Sequence, residues 1–389
     1  MNSRWLLAAV FAASTPGTVL WEARPGFRDF GGITEASGLA ITGNITGDGG
    51  IFAFDAATGK LRWKNPVGQM RGGPATDGER IFAVADASSG KGTLYALDVK
   101  TGKTVWQLSD DGLGGPTPLV AGRVVYLPSR NGHVSALDAV TGKVLWRFQF
   151  SASYGATAET STCPTRAALN EGRLFFGGAD HASQNGYLWA LDTSSGRVLW
   201  KAQILERGYR TSACVNTPAV SGNMVVTTAV IAPNHIGAYD AATGRLVWQQ
   251  QDERIVNGKR TSSALSPVVI ANGVAYSLYQ NGLAFWSMED GRPLGHIAGS
   301  FTTSNYVSND TLLAESGGML FFLGHLAEDT GYPGEHPLHA MDLTTRKILW
   351  THRVNRTGRF EPDWPTHDFL VTGNAIYYEN NGFMAKISR

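Results

Sequence analysis

The sequence predicts an all-β protein that folds as one eight-bladed β-propeller, closed by pairing of the N-terminal strand with the C-terminal blade. Three observations predict this fold: a repeated phrase, regularly spaced tryptophans, and half-repeats at the two chain ends. The phrase has the form Ala-x-Asp-x-x-Thr-Gly-x-x-x-Trp and returns about every 40–50 residues, the spacing of four-stranded blades. Close copies occupy residues 53–63, 96–106, 136–146, 190–200 and 238–248.

Two further copies are degraded. Residues 340–350 have Arg346 in the Gly position, and residues 285–295 have Ser287 in place of Asp and Gly295 in place of Trp. One blade cannot bury both faces of its sheet, so the blades must stack around an axis. We expect each Trp to pack against the neighbouring blade, where a small Ala leaves room.

The chain ends predict how the ring closes. Residues 17–21 repeat only the Gly-x-x-x-Trp half of the phrase, as an outer strand with nothing before it. Residues 376–387 supply the middle strands of a blade that has no outer strand after it. Together they complete the eighth blade, which also removes an exposed sheet edge.

The composition suits a packed globular protein, with 43% hydrophobic residues and 47 glycines. A net charge of +1 gives no basic face, so we do not expect nucleic acid as a partner. Residues 1–13, with Arg4 before an apolar run, resemble a signal peptide and are too short for a transmembrane helix. We expect a secreted or periplasmic protein, with a plain hydrophobic N-terminus and a cytoplasmic location as the alternative. Residues 14–389 then form a single propeller domain.

The repeated phrase resembles the tryptophan-docking motif of the pyrroloquinoline-quinone-like repeat β-propeller superfamily, which includes quinoprotein alcohol dehydrogenase-like and BamB-like proteins. The resemblance spans residues 17–386 and implies the fold, because the motif builds blades and performs no chemistry. The dehydrogenases hold the quinone beside adjacent cysteines and carry large inserted loops. Here Cys163 and Cys214 are far apart and the chain has no room for such insertions. We therefore do not expect this quinone as a cofactor, and the sequence indicates no other.

Labelling the strands A to D from the central channel outward divides the connections between two faces. The A–B and C–D turns lie on one face of the propeller, which we call the short-turn face. The B–C and D–A connections lie on the opposite face, which we call the loop face. Function concentrates on variable loops, so we expect the site on the loop face and at its channel mouth. The D–A connections there contain Arg71, Arg166, Arg210 and Arg260, and the last one contains Asp363 and Trp364.

Arginines beside Ser and Thr at a channel mouth suit a small anionic ligand, such as a carboxylate, sulfate or phosphate. The alternative is that these arginines pair with carboxylates of the blades. Four histidines belong to the same face: His181, His235 and His325 in B–C loops, and His367 in the last D–A connection. None has metal-ligand spacing, so no metal site is assigned.

The two cysteines, Cys163 and Cys214, precede the inner strands of successive blades. Equivalent points on adjacent strands lie close enough for a disulfide, and two buried free thiols are the alternative.

Two functions remain in competition. The first is a secreted or envelope scaffold that binds a protein, a peptide or a small anionic ligand through the loop face. The second is an enzyme with its site at the channel mouth, either a quinone-dependent oxidoreductase or a His/metal-dependent lyase or isomerase. We favour the first function, because the sequence contains no recognisable set of catalytic residues.

Overall fold

A computed structural model places most of the residues that it describes in β-strands. It describes residues 15–24, 30–44, 49–70, 72–86, 91–111, 113–151, 164–180, 185–205, 215–229, 234–252, 255–256, 259–260, 265–279, 282–300, 313–326, 337–353, 368–380 and 383–389. Eight antiparallel sheets of four or more strands follow one another along these ranges. The eight-bladed propeller expected from the repeats is confirmed.

The first four blades are regular four-stranded sheets, whose strands run in order from the innermost outward. Blade 1 contains β2 (Phe30–Ala36), β3 (Leu39–Asn44), β4 (Gly50–Asp55) and β5 (Leu61–Asn65). Blade 2 contains β6 (Ala75–Thr76), β7 (Arg80–Asp86), β8 (Lys91–Asp98) and β9 (Thr104–Asp111). Blade 3 contains β10 (Leu119–Ala121), β11 (Val124–Ser129), β12 (His133–Asp138) and β13 (Val144–Gln149). Blade 4 contains β14 (Ala168–Asn170), β15 (Arg173–Asp180), β16 (Asn185–Asp192) and β17 (Val198–Leu205).

The last four blades include the departures from regularity. Blade 5 contains β18 (Ala219–Ser221), β19 (Met224–Thr228), β20 (Asn234–Asp240) and β21 (Leu246–Asp252). A separate hairpin follows it, formed by β22 (Ile255–Val256) and β23 (Lys259–Arg260). Blade 6 contains β24 (Val269–Ala271), β25 (Val274–Tyr279), β26 (Gly282–Ser287), β27 (Pro293–Ser300) and, outermost, β30 (His325–Leu326). Blade 7 contains β28 (Leu313–Ser316), β29 (Met319–Leu323), β31 (Leu338–Asp342) and β32 (Ile348–His352). Blade 8 contains β33 (Asp368–Val371), β34 (Ala375–Asn380), β35 (Phe383–Ser388) and β1 (Val19–Ala23).

The motif tryptophans lock each blade to the next through a glycine. Trp106 lies against Gly142 of the following repeat, where an added Cβ would come within 2.7 Å of the indole. The indole N–H also donates to the carbonyl of Ala139, at 3.0 Å. The expectation that an Ala leaves the room was wrong: the motif Gly leaves it, and the residue after the motif Asp provides the carbonyl. The same Trp–Gly contact recurs at Trp21–Gly59, Trp63–Gly102, Trp146–Gly196, Trp200–Gly244, Trp248–Gly291 and Trp350–Gly17.

The motif aspartates build the turns of the short-turn face. Asp138 Oδ1 accepts hydrogen bonds from the backbone N–H of Val140 and Thr141 and from the Thr141 hydroxyl. Arg123 donates to the other carboxylate oxygen of Asp138 and contributes most to lowering its pKa, followed by the Thr141 hydroxyl, because such donors favour the ionised carboxylate. This turn recurs with lowered pKa at Asp55, Asp98, Asp192, Asp240 and Asp342.

The eighth turn is assembled from both ends of the chain. Ser388 occupies the motif Asp position, and its Oγ accepts the N–H of Thr18 at 3.0 Å. The Gly17 N–H donates to the carbonyl of Ser388, and Gly17 packs against Trp350 of blade 7. Strand β1 pairs with β35 as the outer strand of blade 8. Closure by the N-terminal strand is therefore confirmed.

The interface between blades 6 and 7 lacks the Trp–Gly contact. Gly295 replaces the Trp, and the guanidinium of Arg346, in the Gly position, lies 4.6 Å from the ring centroid of Phe285. At the outer edge of blade 6, β30 of the blade 7 insertion pairs with β27, Ser300 opposite His325. Blade 7 is therefore attached to blade 6 by a cation–π contact and by added strand pairing.

Candidate functional site

The loop-face ends of the inner strands are held by buried polar side chains. In blade 5 the side-chain amide of Asn216 donates to Thr228 Oγ1 at 2.7 Å and to the carbonyl of Leu265 in blade 6 at 2.6 Å. The Thr228 hydroxyl donates to the carbonyl of Ser266, at 2.9 Å. Since buried polar groups are stable only when paired, this network fixes the entry of both inner strands relative to each other.

Arg166 lies just before the inner strand of blade 4, next to Thr165, which corresponds to Asn216 of blade 5. It directly follows Thr165, whose Oγ1 accepts the Gly177 N–H at 2.8 Å and whose own N–H donates to the Gly177 carbonyl. This pairing anchors the backbone just before β14, and Arg166 is half-buried there. Of the four candidate arginines, Arg166 is the one whose side chain the structure describes.

Two of the candidate histidines lie in strands instead of loops. His235 is the second residue of β20, opposite Gln251 of β21, and only 3% of its surface is exposed. Burial lowers its pKa, so the imidazole is neutral at pH 7. Neither ring nitrogen has a hydrogen-bond partner within the described part of the chain. The assignment of His235 to a loop was wrong, because β20 begins at Asn234 and carries it into the blade 4–5 interface.

His325 belongs to β30, the fifth strand of blade 6, and is half-buried. It is therefore part of the connection between blades 6 and 7, at the outer edge. The structure does not bring His325 together with His235, which lies between blades 4 and 5.

The remaining candidates lie wholly or partly outside the described residues. Arg260 is described as backbone only, in β23 of the hairpin after blade 5. The others fall outside the described ranges: Arg71, Arg210, His181, Asp363, Trp364, His367, Cys163 and Cys214. The segment of residues 1–13 also falls outside them.

Sequence reasoning missed three polar residues, two of which lie near the loop face. Glu379 on β34 is completely buried, opposite Asp368 and Met384 in the sheet. His133, at the start of β12, has a pKa lowered by burial and then by the charge of Arg147, which forms an ion pair with Asp110 of blade 2. The third is Tyr239, which stands where three other repeats have Leu immediately before the motif Asp. That substitution is visible in the sequence once the repeats are aligned.

The described residues contain no group of three His, Cys, Asp or Glu side chains placed to hold a metal ion. No helix within the described ranges is long and apolar enough to cross a membrane.

Fold and motif together define a β-propeller of the pyrroloquinoline-quinone-like repeat class. The family model described as outer membrane protein assembly factor BamB matches residues 8–179 and 130–386. The chain belongs to this family. No curated protein sequence matches it.

Solved structures with the same fold have widely different functions. BamB from Moraxella catarrhalis is 16% identical with a TM-score of 0.60, covering 96% of this chain and 88% of its own. The computationally designed Ika8 protein is 15% identical with a TM-score of 0.63, and the alignment covers 97% of this chain and 100% of the designed chain. A europium-containing methanol dehydrogenase is 14% identical with a TM-score of 0.57, and the alignment covers 88% of this chain and 82% of the dehydrogenase chain. At such identities the likeness establishes the fold alone.

Proposed function

We propose that this protein is a binding scaffold of the cell envelope, and that it holds a protein or peptide partner on its loop face. The observation that carries the proposal is the difference between the two faces of the propeller. The short-turn face repeats one turn in which Asp, Thr and Gly satisfy one another, as at Asp138 and Asp240. A surface that satisfies its own hydrogen bonds in the same way in six of the turns offers little that is specific to one partner.

The loop face differs from blade to blade. It carries the longest of the B–C connections, which contains β30, the hairpin of β22 and β23, and the half-buried Arg166. Beneath it lies His235, with two ring nitrogens that find no partner among the described residues. Such asymmetric features on a rigid scaffold are typical of binding surfaces. The membership in a family described as an outer membrane assembly factor supports an envelope location and a protein partner.

Site-specific photo-crosslinking in cells tests this proposal. A crosslinking amino acid replaces Gln69 or Lys91 on the loop face, and matched controls replace Glu79 or Lys100 on the short-turn face; all four side chains are exposed. We expect a discrete adduct from the loop-face positions only. Adducts confined to the short-turn face, or none from either face, would contradict the proposal.

A further inference from the structure

Blades 3 and 4 meet near the outer edge of the ring through a cluster of aromatic side chains. The ring of Trp189 on β16 lies 5.6 Å from that of Phe148 on β13 and 5.9 Å from that of Tyr187, measured between ring centroids. Tyr187 and Trp189 alternate along β16, so both side chains lie on the face of the strand that is turned towards blade 3. The cluster is a departure of blade 4 from the repeat. At the two corresponding positions blade 3 has His133 and Ser135, and blade 5 has His235 and Gly237.

The outer side chains of this cluster are open to solvent. Trp189 is 7% exposed, but Phe148 and Tyr187 are only half-buried, and so is Val198 at the start of β17. Lys201 lies directly opposite Trp189 in the sheet and is exposed. We call the four residues Phe148, Tyr187, Val198 and Lys201 the blade 3–4 patch. Aromatic side chains that remain accessible beside a cation are typical of the centres of protein interfaces.

The ammonium group of Lys201 is held over the aromatic rings of the cluster. Its Nζ lies 5.0 Å from the ring centroid of Tyr187 and 5.2 Å from that of Trp189, within the range of cation–π attraction. No carboxylate within the described ranges forms an ion pair with Lys201. By contrast, Arg147 of β13 pairs with Asp110 at 2.7 Å. The patch therefore presents a positioned positive charge that the described part of the chain does not neutralise.

We propose that the blade 3–4 patch binds an acidic segment of the protein partner, in which a carboxylate side chain lies next to an apolar one. The carboxylate pairs with Lys201, and the apolar side chain covers the half-buried rings of Phe148 and Tyr187. Because the rings already restrict the Lys201 side chain, less conformational entropy is lost when the ion pair forms. A basic segment would be repelled by the same charge.

The patch lies at the outer edge of blade 4, towards the loop face. Strand β16 begins at Asn185, directly after the B–C connection, and β17 ends at Leu205, directly before the D–A connection. A partner bound on the loop face can therefore extend one acidic segment over the edge of the ring and onto the patch. The inference rests on the proposed binding role and names the chemistry of the segment that is held.

Fluorescence anisotropy of labelled peptides with the full chain tests the patch. The probe is the hexapeptide Gly-Glu-Leu-Glu-Phe-Gly. Three control peptides replace both Glu by Gln, both Glu by Lys, or the Leu and the Phe by Ser. We expect saturable binding of the probe that weakens as the salt concentration rises, because the ion pair is exposed. Every control peptide should bind more weakly, because each lacks either the negative charge or the apolar side chains.

Variants of the chain locate the binding. Lys201→Gln removes the charge and should weaken probe binding about two- to fivefold, the value of one exposed ion pair, whereas Lys201→Arg should retain it. Lys64→Gln on β5 is the matched control, since Lys64 is also exposed and also follows a motif Trp, and it should leave binding unchanged.

Three results would overturn the patch: no saturable binding of the probe, equal binding of the Gln or Ser peptide, or equal effects of Lys201→Gln and Lys64→Gln. Loop-face crosslinks without peptide binding would also overturn the patch and leave the scaffold proposal standing. Peptide binding that depends on Lys201, without loop-face crosslinks, would contradict the scaffold proposal alone.

Discussion

The guanidinium of Arg346 lies 4.6 Å from the ring centroid of Phe285, at the blade interface where Gly295 replaces the docked tryptophan. Arg346 also has a backbone φ of +57°, in a position that is Gly in the regular repeats. The Trp and the Gly have thus been lost together, and an arginine side chain occupies part of the vacated interface. Gly295 has a φ of +146°, so a Trp cannot be restored there without strain.

We expect Arg346→Ala to destabilise the protein by about 0.5–1 kcal/mol, because an exposed cation–π contact is lost. Arg346→Gly loses the same contact but relieves the left-handed backbone conformation, which costs a non-glycine residue about 1–2 kcal/mol. The Gly variant should therefore be more stable than the Ala variant in urea denaturation. Arg292→Ala, at an exposed arginine of the preceding turn, serves as control. Equal stability of the Ala and Gly variants would contradict this explanation.

The docked tryptophans predict a large loss for Gly244→Ala. The new Cβ would meet the indole of Trp200 at 2.6 Å, in a residue whose φ is +73°. Gly222→Ala is the matched control, since its φ is +56° and no atom lies within 4 Å of the added Cβ. Gly222→Ala should cost only the backbone strain of about 1–2 kcal/mol. Gly244→Ala should cost at least about 1–3 kcal/mol more through overpacking. Similar losses in chemical denaturation would mean that the Trp–Gly contact is not tight.

Closure depends on β1, which the chain's first described residues supply. Deleting residues 1–23 removes this strand and with it the buried Trp21, whose loss alone is worth about 3–5 kcal/mol. The truncated protein should melt at a clearly lower temperature and aggregate through the exposed edge of β35. Deleting residues 1–14 leaves β1 intact and is the control. A cooperative transition of the shorter protein at the full-length temperature would contradict closure.

The turn aspartates predict acid sensitivity. Hydrogen bonds from Ser194 and Ser195 lower the pKa of Asp192 to about 2, from a usual 3.8. Because the folded pKa is the lower one, this stabilisation is complete above pH 3.8 and is lost as the pH falls through 3.8 towards 2. Denaturation midpoints measured over that range should fall, and Asp192→Asn should reduce the slope. A flat profile would show that the turns do not favour the ionised carboxylates.

The buried histidines predict a separate loss of stability on acidification, in a pH range above that of the aspartates. Burial lowers the pKa of His235 and of His352, which also contacts the Gly17 carbonyl through Nδ1. The unfolded chain then binds more protons below its usual His pKa of 6.5, so stability decreases as the pH falls from 7 through 6.5. His235→Phe should flatten this part of the profile. An unchanged slope in the variant would mean that His235 is not buried as a neutral group.

Much of the fold could be predicted because the repeat is local. The phrase from Ala136 to Trp146 contains the end of a strand, the whole Asp-capped turn and the start of the next strand. Its recurrence predicted the number of blades, and the half-repeat at residues 17–21 predicted the closing strand. The candidate site was harder, because its residues are brought together only when different blades stack. His235 was expected in a loop and lies buried in β20.

By itself the sequence determined the repeat, the eight blades and the closure, because the repeated phrase is a local unit and the half-repeats at the two chain ends complement each other. Only the tertiary structure decided which atoms meet between blades. It placed Gly142, not an alanine, beneath Trp106, it paired His325 with Ser300 of the preceding blade, and it converged His235 and Tyr239 above Gly237. The physical reason is that these contacts depend on blade spacing and strand register, and no single repeat encodes either one.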